Sequence, residues 1–116
     1  AGDRPTLYGS GQNVRDWIHV EDHIDGIWAV LEKGVVGETY LFGGEQELSN
    51  LHVVKLVLSA VGLPENHFDF VPDRPGHDLR YAIDNSKSTR DLDWRPKAPL
   101  LSDYVGSLVD FYRDAR

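Results

Sequence analysis

Between positions 73 and 81 the chain reads Asp-Arg-Pro-Gly-His-Asp-Leu-Arg-Tyr, which places two guanidinium groups, an imidazole and a phenol within nine residues. A planar guanidinium meets phosphate oxygens two at a time, and imidazole and phenol add directed hydrogen bonds. The group therefore suits an anionic ligand that carries ring and hydroxyl functions. Pro75 and Gly76 supply a tight backbone that aims these side chains together. The competing reading is a surface loop in which Arg74 and Arg80 pair with some of the 19 acidic residues, and residue types alone leave the two readings level.

A second group is Arg15-Asp16-Trp17, just ahead of a helical pattern, where a cation beside an apolar anchor can stand at the edge of a cleft. Asn50 lies at the start of another helical pattern, where main-chain amides favour a phosphate; plain helix capping is the alternative there. Trp17 and Trp28 read as core side chains rather than ligand stackers. His19 and His23, four residues apart with Glu21 between them, have the spacing to share a metal. The metalloprotease pattern needs its Glu directly after the first His, where Val20 stands, so a partly exposed helix start is the better reading. Asp22 and Asp25 then supply favourable charge near that helix N-terminus.

Other chemistries find no residues to carry them. Gly9-Ser10-Gly11 would open a dinucleotide fingerprint, but Val14 takes the place of its third glycine. The positions four residues after each tyrosine hold Gln, Gly, Asn, Leu and Arg, so no Tyr-x-x-x-Lys proton-transfer pair is present. A nucleophile elbow and a Walker loop are likewise missing.

The elements that must position these groups can be read from periodicity and punctuation. Thr6, Leu7 and Tyr8 form a short strand-like group within an otherwise loop-like start. Over residues 19–33, Val20, Ile24, Ile27, Trp28 and Leu31 mark one face of a helix that Gly34 ends. Residues 38–42 (Glu-Thr-Tyr-Leu-Phe) read as a buried strand stopped by Gly43-Gly44. Ser49 introduces a second helix carrying Leu51, Val54, Leu58 and Val61, closed by Gly62 and Pro64. Residues 68–71 read as a short strand, 73–78 as a turn, 81–83 as a further short strand and 86–92 as a short helix. Leu101, Val105, Leu108, Val109 and Tyr112 define a last helix. Three main helices with short strands make an α/β or α+β lobe without its own βαβ series.

Composition sets the frame. The chain has 116 residues, 41% of them hydrophobic and 27% charged, which is the balance of one globular domain. Its net charge of −7, with no basic run, argues against a nucleic-acid surface. There is no cysteine for disulfides or thiolate sites, and no apolar stretch nears the roughly 18 residues of a membrane span. A cytoplasmic location is expected. There is no methionine, and the start Ala-Gly-Asp-Arg-Pro lacks a signal-peptide pattern, so we read the first residue as a cut inside a longer protein.

Over residues 5–112 the chain resembles the dTDP-glucose 4,6-dehydratases, extended short-chain dehydrogenases of nucleotide-sugar metabolism. The resemblance rests on Leu7-Tyr8-Gly9-x-Gly11-x-x-Val14-Arg15-Asp16-Trp17-Ile18-His19-Val20-x-Asp22-His23, on Gly37-Glu38-Thr39-Tyr40 running to Gly43-Gly44, on Asn50-Leu51-x-Val53-Val54, and on Asp73-Arg74-Pro75-Gly76-His77-Asp78-x-Arg80-Tyr81-Ala82-Ile83-Asp84. The first string is shared by many sugar-nucleotide epimerases and dehydratases; the last is narrower and favours the dehydratase. Asp93 departs from the family, which usually has glycine before the Trp94 position, and residues 62–67 are compact where many relatives carry a longer loop.

The resemblance implies an α/β fold of the NAD(P)-binding Rossmann superfamily, of which residues 1–116 would be the C-terminal substrate-binding lobe, without the Rossmann core. It implies NAD as the cofactor, held with the catalytic groups by the missing N-terminal lobe. Tyr8 would lie by the nucleotide, Arg15 and Asn50 would contact the diphosphate, and Arg74 with His77 would complete a clamp to which Tyr81 adds. The implied ligand is dTDP-glucose, oxidised at C4, dehydrated across C5 and C6 and reduced at C6, in the supply of dTDP-rhamnose and other deoxysugars for envelope polysaccharide. A homodimeric parent enzyme is implied, and a chain inactive alone. The first helix and the 40–42 segment would face the missing lobe, which leaves an apolar surface and favours self-association. The same scaffold would also serve a UDP-sugar 4-epimerase or decarboxylase, or a non-catalytic interaction module.

Overall fold

The structure, a computed structural model, describes residues 3–76 and 78–114. In chain order its elements are β1 (Thr6–Tyr8), β2 (Val14–Asp16), α1 (Val20–Lys33), β3 (Glu47–Ser49), α2 (Asn50–Ala60), β4 (Asp69–Val71), α3 (Ser86–Leu92) and α4 (Leu101–Asp114). Strands β1 and β4 pair in parallel, Thr6 opposite Asp69, while β2 and β3 pair antiparallel, Val14 opposite Ser49. Arg4 fastens the first pair, its Nε 2.9 Å from the Asp69 carboxylate and its Nη2 donating to the Phe68 carbonyl.

Helices α1 and α2 begin where the sequence provides a cap. The His19 Nδ1 accepts from the Glu21 amide at the head of α1, and Ser49 Oγ accepts from the His52 amide at the head of α2. Gly34 ends α1 by donating its N–H to the Val30 carbonyl. The main core lies between α2 and α4, where Val53, Leu101 and Val105 are buried and Trp17, Leu48 and Tyr104 pack against them.

Helix α1 is oriented differently. Its apolar stripe faces outward, with Ile24, Trp28 and Leu31 all more than half exposed, and Asp22 and Gly26 face inward. Trp28 therefore departs from the expected core position, its indole N–H donating to Glu32 on the helix surface. Inside, the Asp22 carboxylate accepts from the amides of Lys97 and Ala98 at 2.9 and 3.0 Å, and its carbonyl accepts from Trp94 Nε1. Gly26 lies against the Phe42 ring, which in turn stacks edge-on with Trp94 at 4.9 Å.

The expected strand at 38–42 does not form, and Leu41 is 55% exposed. Side chains of α3 and its cap take the place of a neighbouring strand. Lys87 Nζ donates to the Thr39 carbonyl and the Glu38 carboxylate, Ser88 Oγ donates to the Leu41 carbonyl, and the Asn85 amide bonds both the N–H and the carbonyl of Gly43. The strand-like composition is real, but a strand requires a ladder partner, and none of the described residues supplies one. The expected strand at 81–83 is likewise reduced to a single bridge between Val14 and Arg80. Asp93 closes α3 in the left-handed conformation, φ +53°, which accounts for glycine being the residue the family usually carries there.

Candidate functional site

Strand β2 lies between two neighbours. On one edge β3 pairs with it and runs directly into α2; on the other the 73–81 turn docks, with the Val14 N–H donating to the Leu79 carbonyl at 2.7 Å and the Tyr81 N–H to the Val14 carbonyl at 2.9 Å. Asp16 Oδ1 accepts from the amides of Gly44 and Gln46, which sets the entry to β3. The chain passes so close there that a Cβ on Gly44 would overlap the Trp17 carbonyl oxygen, so only glycine fits.

This arrangement brings Arg15 on β2 together with Arg74 and Tyr81 on the turn, around a cleft of about 290 Å³ completed by Pro75, Gly76 and Asp78. Gly76 holds φ +72°, the left-handed conformation that makes the turn tight. Arg15 Nη2 donates to the Asp78 carbonyl at 3.0 Å and Nη1 to the Val14 carbonyl at 2.8 Å, while its Cζ stands 4.5 Å above the Tyr81 ring. Arg74 is backed in the same manner by Tyr8, at 5.1 Å. A guanidinium seated over an aromatic face keeps the N–H donors it has not used for an anion. Asp78 is the acidic member of the lining, and its carboxylate is engaged by the Tyr81 hydroxyl. That hydrogen bond, reinforced by the Asp78 charge, raises the phenol above its usual value, against smaller opposing effects of Arg15 and Arg74. Two cations against one occupied carboxylate make a positive spot on an acidic chain.

Of the residues singled out from sequence, Arg15, Arg74 and Tyr81 line one cleft and Tyr8 reaches it through Arg74. Asn50 does not line the cleft, and it is not the helix cap either, since Ser49 takes that role; its amide instead donates to the Asn13 carbonyl. His77 lies outside the described residues. Arg80 follows the alternative reading and pairs with Glu47. His19 is a capping side chain that also stacks edge-on with Tyr104 at 4.7 Å, and no metal-binding cluster exists among the described residues. Trp17 packs on the core as expected. Sequence reading passed over Asn13, which is 4% exposed and joins the cleft to α2; neither its type nor its spacing signalled that role.

The family model of the GDP-mannose 4,6-dehydratases matches residues 1–102. The chain belongs to this family. Over 112 residues it is 48% identical to a dTDP-glucose 4,6-dehydratase of Mycolicibacterium smegmatis, a match covering 97% of this chain and 34% of that protein. A solved dTDP-glucose 4,6-dehydratase of Streptomyces venezuelae, with NAD and TYD bound, superposes with a TM-score of 0.92 at 41% identity over 99% of this chain and 35% of that one. A UDP-glucose 4-epimerase of Thermotoga maritima, with TM-score 0.88 over 98% of this chain and 36% of its own, shares 24% identity and so shares the fold. The chain thus spans about a third of the curated relatives that it matches. This member of the dehydratase family has the α/β architecture expected of it, and no described helix is long and apolar enough to cross a membrane.

Proposed function

We propose that residues 1–116 are the nucleotide-sugar-binding part of an NAD-dependent dTDP-glucose 4,6-dehydratase, which converts dTDP-glucose to dTDP-4-keto-6-deoxyglucose. The observation that carries this reading is the convergence of Arg15 and Arg74, each within cation–π distance of a tyrosine ring, in the lining of one cleft. In this reading the two guanidinium groups hold the diphosphate, the Asp78-engaged Tyr81 hydroxyl borders it, and His77 completes the grip. Asn50 acts from the head of α2, by way of the main chain that joins it to β2.

NAD supplies the hydride acceptor and donor of such a reaction. The Gly9-Ser10-Gly11 stretch does not form the dinucleotide turn that NAD would need: it bends back, Gly11 N–H to Tyr8 carbonyl, and leads into β2 rather than into a helix N-terminus. NAD and the proton-transfer groups accordingly belong to the remaining two thirds of the parent enzyme, and this chain alone does not turn over.

Charge-assisted hydrogen bonds are each worth about 1.5 to 3 kcal/mol. In the full-length enzyme, Arg74→Ala is expected to weaken dTDP binding by about tenfold to a hundredfold in isothermal titration. Unchanged affinity would remove Arg74 from the clamp. Competition between dTDP and UDP settles the base, since a UDP preference would favour the epimerase reading.

A further inference from the structure

The Asp78 carbonyl oxygen accepts two hydrogen bonds, one from Arg15 Nη2 at 3.0 Å and one from Asn13 Nδ2 at 2.9 Å. A carbonyl has two lone pairs, so this acceptor is saturated, and because a carbonyl only accepts, the Asn13 nitrogen must face it. Asn13 is 4% exposed, and a buried amide is retained where its hydrogen bonds are made. Its two halves act in different directions. The main-chain carbonyl receives the Asn50 N–H at 2.9 Å and ties β2 to the head of α2, while the side chain alone reaches across to the turn. Removing the side chain leaves the first tie intact and releases the second.

We propose that Asn13 is a positioning residue for anion binding: by holding the Asp78 carbonyl it fixes the acceptor that orients the Arg15 guanidinium on the Tyr81 ring. Asn13 itself does not line the cleft and acts through Arg15. Without it, the Asp78 peptide is free to turn and Arg15 loses the contact that aims its free donors. The proposal rests on the nucleotide reading given above and adds to it a residue that the ligand never touches.

The test is a double-mutant cycle in the full-length enzyme, with dTDP as the probe in isothermal titration. Asn13→Ala is expected to weaken dTDP by roughly tenfold, Arg15→Ala by at least as much, and the double variant no more than Arg15→Ala alone. A residue that merely supported the fold would lower affinity in both backgrounds, so additive losses overturn the proposal, as does an Asn13→Ala variant with full affinity. Should Asn13→Ala not fold, Asn13→Asp keeps the size, removes the donor and carries the same expectation. If Arg15→Ala itself binds dTDP normally, the nucleotide reading fails and this one falls with it; if only the coupling is missing, the nucleotide reading stands.

Discussion

Helices α1 and α4 are each 14 residues long and each carries an apolar stripe at helical spacing, yet only α4 buries the start of its stripe. In α4, Leu101 and Val105 are buried against α2 while Phe111 and Tyr112 further along are exposed, whereas in α1 Ile24, Trp28 and Leu31 face outward from the start and the helix is seated by the Asp22 carboxylate and the small side of Gly26. A stripe of period 3.6 marks a face able to exclude water, and burial follows only where another element lies opposite. The first half of α4 finds that element within the described residues. Helix α1 is anchored instead by hydrogen bonds, which hold position through direction rather than through area.

That contrast can be tested by substitution, with stability of the 116-residue chain read from urea denaturation. Leu101→Ala opens a cavity in the α2–α4 core and is expected to cost about 2 to 5 kcal/mol. Asp22→Asn exchanges one acceptor for an amide donor that faces a main-chain N–H, at an expected cost of about 1 to 3 kcal/mol. A negligible effect there would show that the α1 anchor is dispensable. Leu31→Ser, on the outward stripe, is expected to change stability by no more than about 0.5 kcal/mol. A loss comparable to that of Leu101→Ala would mean that the stripe is covered in solution and would break the comparison.

Much of the architecture was legible because local rules decide it. Capping by Ser49, the stop at Gly34 and the turn at Pro75-Gly76 all follow from residues within a few positions of each other, and the strands around Leu7 and Phe70 showed in their residue types although they pair with each other from far apart in the chain. Strands β2 and β3 were not legible, since Val-Arg-Asp and Glu-Leu-Ser are not strand-like in type and are held in the sheet only by pairing between positions more than 30 apart in the chain. Residues 38–42 erred the other way, strand-like in type but without a ladder. Within the site, Arg15, Arg74 and Tyr81 could be read because guanidinium and phenol announce their chemistry. The Arg80 pairing with Glu47 depends on the β2–β3 register, and the seat of Asn13 depends on the path of the turn, neither of which a spacing rule encodes.

The partner that orients Arg15 is a main-chain oxygen. Codon 78 can therefore drift without disturbing the guanidinium, and what drift removes is the carboxylate that engages Tyr81. Heritable control of the Arg15 direction rests on whatever shapes the backbone, Pro75, Gly76 and Asn13 among them, so a lineage could retune the phenol and leave the cation's aim unchanged.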